Sequence, residues 1–251
     1  MQQAELSGTT WQGQLRLGDR WACWRGVTGD GQLHRHFAAQ AVIASGSVEV
    51  FDGRGGSALA ECVLIDPLTP HRLVPGCEVT IVYVEPGRHI DPLAEEVLAP
   101  VRSARTLSAV SLPRQPGFWA AWLAAERTAP VPVGRQVDRR LAPALAFIEA
   151  ALPAGAVSLS AAAATACLSG DRLRHLFVEQ FGLPFRRYVL WRRLRLAASA
   201  LMAGADVTAA AHEAGFADAA HLARTLKSTF GVTAGEALRS RIPGWEQARA
   251  T

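Results

Sequence analysis

The sequence predicts an α+β protein. An N-terminal β-barrel with flanking helices comes first, and an all-α domain of two helix-turn-helix units joined by a long helix follows. Three observations carry this reading. Short apolar runs broken by Gly, Pro and Asp-Gly fill the chain up to about Pro86, with no helical period between them. A basic, helix-patterned stretch runs from Pro184 to about Gly204. On each side of it stand a short helix, a tight turn and a second helix.

The β half is read from its punctuation. In LHRHFAAQAVIASGSVEVFDGRGG the strand-like runs end at Gly and Asp-Gly, and Asp52-Gly53 after Val48-Glu49-Val50-Phe51 is a hairpin signal. AECVLIDPLTPHRLVPGCEVTIVYVEPG repeats the pattern with a Pro-rich turn and a Pro-Gly turn. Many short strands without intervening helices point to a sandwich or small barrel.

From Asp91 the spacing changes. Leu93, Val97, Val101 and Leu107 suggest a helix interrupted at Pro100, and 118–126 (FWAAWLAAE) suggests a second. These helices are either a subunit interface or a cover for one barrel face. Residues 128–134 (TAPVPVG), with two prolines and a glycine, form the best linker. The expected domains are therefore 1–134, for sensing and oligomerisation, and 135–251. Within the first, the barrel spans about 8–88, the helices about 92–128 and the linker 128–134.

Leu141, Leu145, Ile148 and Leu152 mark a helix that opens the second domain. Helices are then expected at 158–166 and 171–181 around Cys167-Leu168-Ser169, and at 207–214 and 218–230 around Gly215-Phe216-Ala217. Between the two pairs, Leu190, Leu194, Ala197 and Leu201 make one apolar stripe, with Arg186, Arg187, Arg192, Arg193 and Arg195 largely off it. A helix-turn-helix lays its second helix in the DNA major groove. A rod of about 20 residues spans roughly 30 Å, close to the 34 Å or so between successive major-groove faces.

Composition narrows the class. The chain has 251 residues, 49% of them hydrophobic, so one large or two ordinary globular domains are expected. No run of about 18 apolar residues exists, and MQQAELSGTT lacks a signal peptide's basic and apolar regions, so a cytoplasmic protein without membrane contact is expected. Cys23, Cys62, Cys77 and Cys167 include no CxxC pair, which reads as buried reduced thiols. Charge is uneven. Residues 1–135 carry 12 basic and 13 acidic side chains, residues 136–251 carry 14 and 9. Seven arginines against two acids between Gly170 and Arg195 give the footprint of a phosphate-binding surface.

ACLSGDRLRHLFVEQFGLPFRRYVLWRRLRLAASAL and VTAAAHEAGFADAAHLARTLKSTFGVTAGEAL together resemble the DNA-binding domain of AraC-type (AraC/XylS) transcription regulators. Leu168-Ser169, Leu173, Phe177, Gly182, Arg193, Ala197, Gly215-Phe216, Arg224, Phe230 and Gly231 stand where that family places such residues. Leu222 and Leu226 replace its usual aromatics, and Ala234 its common proline. Thr233 and Glu236 still form a capping box for a last short helix.

The N-terminal half resembles the cupin-type sensor domain of many such regulators, through His34-Arg-His36, Gln40, Gly46, Pro67 and Pro70-His71-Arg-Leu. By that resemblance His34, His36, Gln40 and His71 are the candidate effector pocket. His34, His36 and His71 are the candidate metal ligands, with Gln40 where metal-binding cupins carry a glutamate, and an amide is the poorer ligand. No cofactor is expected beyond a metal there. Cys62 and Cys77, flanking His71, are a minor alternative as a soft-metal or redox site.

Helical geometry then gives the DNA-facing residues. Leu173, Leu176, Phe177 and Phe181 face the core, which leaves Asp171, Arg174, His175 and Val178 outward with Arg172 beside them. The resemblance makes Asp171, Arg174 and His175 base-facing, and Arg174 is the one suited to a guanine. Ser169 caps that helix and offers a phosphate contact. The matching positions of the second unit are Ala219, Ala220, Ala223 and Arg224, with His221 and Lys227 close by, and Arg186 and Arg187 open the central helix.

These features point to a sequence-specific DNA-binding transcription regulator, not an enzyme, set by a small effector in the barrel. Its expected partners are double-stranded DNA, an effector, RNA polymerase and a second copy of the chain. A cupin-type metal enzyme and a non-specific nucleic-acid-binding protein are the alternatives from other classes.

Overall fold

The computed structural model describes residues 10–18, 21–85, 95–112, 117–128, 138–233 and 235–236. The N-terminal half is one sheet of β1 (Gln12–Leu17), β2 (Trp21–Val27), β3 (Ala39–Phe51), β4 (Ser57–Ile65), β5 (Arg72–Leu73), β6 (Glu78–Val84) and β7 (Leu107–Val110). Their order is β1-β2-β6-β3-β4-β7, with β5 added to β3. All pairs are antiparallel except β4 and β7. The expected barrel is not closed: among the described residues β1 and β7 remain edges.

Side-chain alternation builds a core on each face. Val42, Val63, Ile65 and Ile81 pack with Trp11 and Trp24 on one side. Their neighbours Ala41, Cys62, Leu64 and Val82 pack on the other, against Leu98 and Val101 of α1 (Glu95–Ser103) and Trp119 and Trp122 of α2 (Phe118–Thr128). Of the two readings left open for these helices, the structure has them covering a sheet face. Asp66 fixes α2: its Oδ1 accepts from the Trp119 backbone N–H at 3.0 Å, while the Trp119 indole N–H donates to the Ile65 carbonyl at 3.1 Å.

The Asp52-Gly53 signal becomes the β3–β4 connection. Asp52 Oδ1 accepts from Arg54 and Gly56 at 2.7 and 3.0 Å, and Gly53 takes φ 71°, so the loop runs from Asp52 to Gly56 before Ser57 pairs with Phe51. Two expectations need correction. α1 runs through Pro100 without interruption, and Leu107 belongs to a strand. The expected linker, apart from its first residue, lies outside the described residues.

In the second half, a 3-10 turn at Arg139–Leu141 leads into α3 (Ala142–Ala151), α4 (Leu159–Thr165), α5 (Gly170–Phe181), α6 (Phe185–Met202), α7 (Val207–Glu213) and α8 (Ala219–Phe230). Each short helix carries its own start signal. Ser158, Ser169, Asp206 and Asp218 accept from backbone N–H groups of the first turns of α4, α5, α7 and α8. Thr233 and Glu236 form the expected reciprocal cap, with bonds of 2.7 and 3.2 Å.

α6 is the axis of this half. Phe185 and Val189 enter the core of the first helix-turn-helix, and Leu194, Ala197 and Leu201 that of the second. Instead of one stripe, apolar side chains are buried on several sides of the helix. The described residues hold no helix long and apolar enough to cross a membrane. Cys62 is buried, as expected of a structural thiol, but Cys167 is exposed in the first turn with φ 51°.

Candidate functional site

The outer faces of α5 and α8 are built by the same pattern. In α5, Leu173, Leu176, Phe177 and Phe181 turn inward, so Asp171, Arg172, Arg174, His175 and Val178 are exposed. Ser169 Oγ accepts from the Arg172 backbone N–H at 3.2 Å, which orients the first turn. Arg174 is ion-paired with Asp171 one turn earlier. In α8, Ala220, Arg224 and Lys227 are exposed, while Ala219 and Ala223 are half-buried. Ala223 packs on the core of its unit, and the His221 ring meets Phe216 edge-on at 5.2 Å. The first face is therefore rich in donors and acceptors and the second is poor in them.

The arginines of α6 divide. Arg186 and Arg187 are exposed, with the Arg187 guanidinium 5.6 Å from the centroid of Phe37. Arg192, Arg193 and Arg195 are half-buried and hold the chain to itself, so the expected phosphate-binding surface does not extend to them. Arg192 Nε is 2.8 Å from Glu149 Oε1, and Arg193 Nη2 donates to the Gly155 carbonyl at 2.8 Å. Arg195 Nη1 lies 2.8 Å from Glu85 Oε1 at the end of β6, and Arg192 Nη1 lies 3.7 Å from Glu85 Oε2.

His34, His36 and His71 come together as expected, all buried. Their Nδ1 atoms are 2.8–2.9 Å from the carbonyl oxygens of Gln32, Ala38 and Thr69. Burial pushes all three imidazoles below their usual range, His36 to about 3, so they are neutral. His36 Nε2 is also 2.7 Å from Gln40 Oε1. A neutral ring has one N–H for two oxygens, so when Nδ1–H serves Ala38 the Gln40 amide turns its own N–H toward Nε2.

One ligating atom from each ring lies within 4.8 Å of the others, and His71 Nε2 is buried without a partner. Yet His36 has both nitrogens engaged, and among the described residues the group contains no carboxylate or thiolate; Cys62 and Cys77 do not join it. Three imidazoles with their Nδ1 atoms on backbone carbonyls are a donor set that zinc can use, and the His36 Nε2–Gln40 contact is what an ion must displace.

The histidines sit instead at a junction. The Phe230 ring, ending α8, lies 5.8 Å from His36 and 5.9 Å from Tyr83. Tyr83 and Phe230 are also walls of a cavity of about 140 Å³ between the sheet and α6. Trp11, Trp21 and Trp24 from the sheet half and Trp191 from α6 complete its aromatic lining, with Arg195 and Glu236 as its charged residues. No local sequence signal marked this cavity. Trp191 and Arg195 are spaced i, i+4 and share a helix face, but what that face meets is set by distant chain.

Residues 162–240 match the protein family described as "Helix-turn-helix domain". No curated protein matches the chain in sequence. Among solved structures, the apo form of a single-residue variant of ToxT from Vibrio cholerae strain SCE256 is similar over 90% of this chain and 99% of its own, at 12% identity and a TM-score of 0.56. ToxT from Vibrio cholerae O395 bound to (E)-4-(8-methylnaphthalen-1-yl)but-3-enoic acid is similar over 91% and 98%, at 12% identity and a TM-score of 0.51. A transcriptional regulator of the AraC type from Chromobacterium violaceum aligns over 42% of this chain and 95% of its own, at 24% identity and a TM-score of 0.38.

Proposed function

We propose that this chain, whose C-terminal half carries an AraC-type helix-turn-helix domain, is a sequence-specific DNA-binding transcription regulator whose activity is set by a small effector. One observation carries the reading: two helix-turn-helix units are mounted on one helix, and the outer faces of α5 and α8 stay exposed while the sheet half packs elsewhere on that helix. With 18 residues α6 spans about 27 Å, so the units address successive major grooves with modest DNA bending. On the first face, Asp171, Arg174 and His175 read bases. Ser169, Arg172, Arg186, Arg187 and Lys227 contact phosphates. The N-terminal half takes the effector, and the organic acid bound to ToxT supports a small organic molecule in that role. The chain itself is assigned no reaction.

Footprinting on DNA flanking the encoding gene tests the reading. Two protected segments about one helical turn apart are expected. Equal affinity for that DNA and for random DNA of the same length would leave only non-specific binding.

A further inference from the structure

We propose that the cavity between the sheet and α6 binds a compact, flat monocarboxylic acid, and that its carboxylate takes over Arg195 from Glu85. This rests on the regulator reading and gives its effector a site and a chemical class.

A cavity of about 140 Å³ is close to the roughly 150 Å³ that suits one benzene-sized ring. Its walls are Trp, Tyr and Phe rings from both halves of the chain, which favour a flat apolar body.

Trp191 and Arg195 stand on the same face of α6. Trp191 is buried, lines the cavity, and its indole N–H has no acceptor. Four residues on stands Arg195, whose guanidinium faces the Glu85 carboxylate. That pair is close but badly aligned. Glu85 Oε1 lies 2.8 Å from Arg195 Nη1, yet it is buried without a well-formed hydrogen bond. An incoming carboxylate that meets Arg195 squarely outcompetes such a contact. Glu85 keeps a second cation, Arg192, at 3.7 Å. Glu236, the other charged residue of the lining, has its carboxylate turned to Thr233, which leaves Arg195 to set the sign of the ligand. The exchange also removes one of the contacts between the sheet half and the helix that carries both DNA-reading units.

Isothermal titration of the full chain with benzoate and with its neutral isostere benzamide tests this. Benzoate should bind about 10- to 100-fold more tightly, the size of a charge-assisted contact. Arg195→Gln should erase that preference, and Glu85→Gln should raise benzoate affinity but not benzamide affinity. Equal binding of acid and amide to the unaltered chain overturns the Arg195 anchor even if a variant fails to fold. Binding of neither overturns the cavity assignment, while the regulator reading still stands or falls on its footprint.

Discussion

The backbone of Gly231 lies against the imidazole of His34. A Cβ at 231 would come within 2.8 Å of His34 Nδ1 and 3.3 Å of the Gln32 carbonyl oxygen. Gly231 also ends α8 in the left-handed region, with φ 73°. Both constraints exclude a side chain, so the end of the second DNA-reading helix is seated directly on the buried histidines. Gly231→Ala should cost about 1–3 kcal/mol in urea unfolding. Wild-type stability in this variant would show that the contact yields freely.

Arg174 should lose base reading, not general affinity, when shortened. Arg174→Ala is expected to cost about 1–3 kcal/mol at the specific site and to relax preference at one or two base pairs. In the free protein its guanidinium is held by Asp171, so Asp171→Ala should alter specificity at the same base pairs. Equal losses on specific and random DNA would refute base reading by Arg174.

The buried histidines should make the protein acid-sensitive. Their folded pKa values lie below the usual 6.5, His36 at about 3, so between these limits the unfolded chain binds more protons than the native one. The stability they contribute is fully present above about pH 6.5 and is lost as pH falls toward the folded values. Each pH unit below the unfolded value costs about 1.4 kcal/mol, so His36 alone should account for a loss of about 3 kcal/mol by pH 4.5. Urea titrations from pH 7.5 to 4.5 should show this loss, and His36→Gln should flatten it.

Purified protein should carry less than one zinc, iron or nickel ion per chain. His36 Nε2 is committed to Gln40 at 2.7 Å, and a metal must break that bond to use it. Elemental analysis giving one ion per chain, lost in His36→Ala, would make the histidines a metal sensor instead.

What was legible in the sequence depended on how local its cause is. Ser158, Ser169, Asp206 and Asp218 each sit at the start of the helix they cap, so α4, α5, α7 and α8 were readable to within a residue or two. Leu107 was not. It continues an apparent helical spacing from Val101, but its strand exists because it pairs with Cys62, far back in the chain. Arg192, Arg193 and Arg195 read as part of a phosphate-binding surface for the same reason. The Glu85, Glu149 and Gly155 groups that hold them come from other elements. The histidines were found through the resemblance to cupin-type sensor domains, whereas Trp191 and Glu85 gave no signal at all.

The two DNA-reading helices should contribute unequally to specificity. α5 exposes Asp171, Arg174 and His175, whose donors and acceptors are long enough to reach base edges. The matching positions of α8 are Ala219, Ala220 and Ala223, and the first and last of these are half-buried. Alanine offers a base at most a methyl contact. His221 is turned onto Phe216, which leaves Arg224 for a base and Lys227 for the backbone. Base substitutions under α5 should each cost about 1–3 kcal/mol, and those under α8 distinctly less apart from one Arg224 contact. Lys227→Ala should weaken all sequences alike and lower the salt slope by about one unit. The second unit then acts through phosphate contacts and DNA shape. A saturation scan of the operator is the direct measurement, and equally strong preferences in both grooves would mean that α8 meets the DNA with another face.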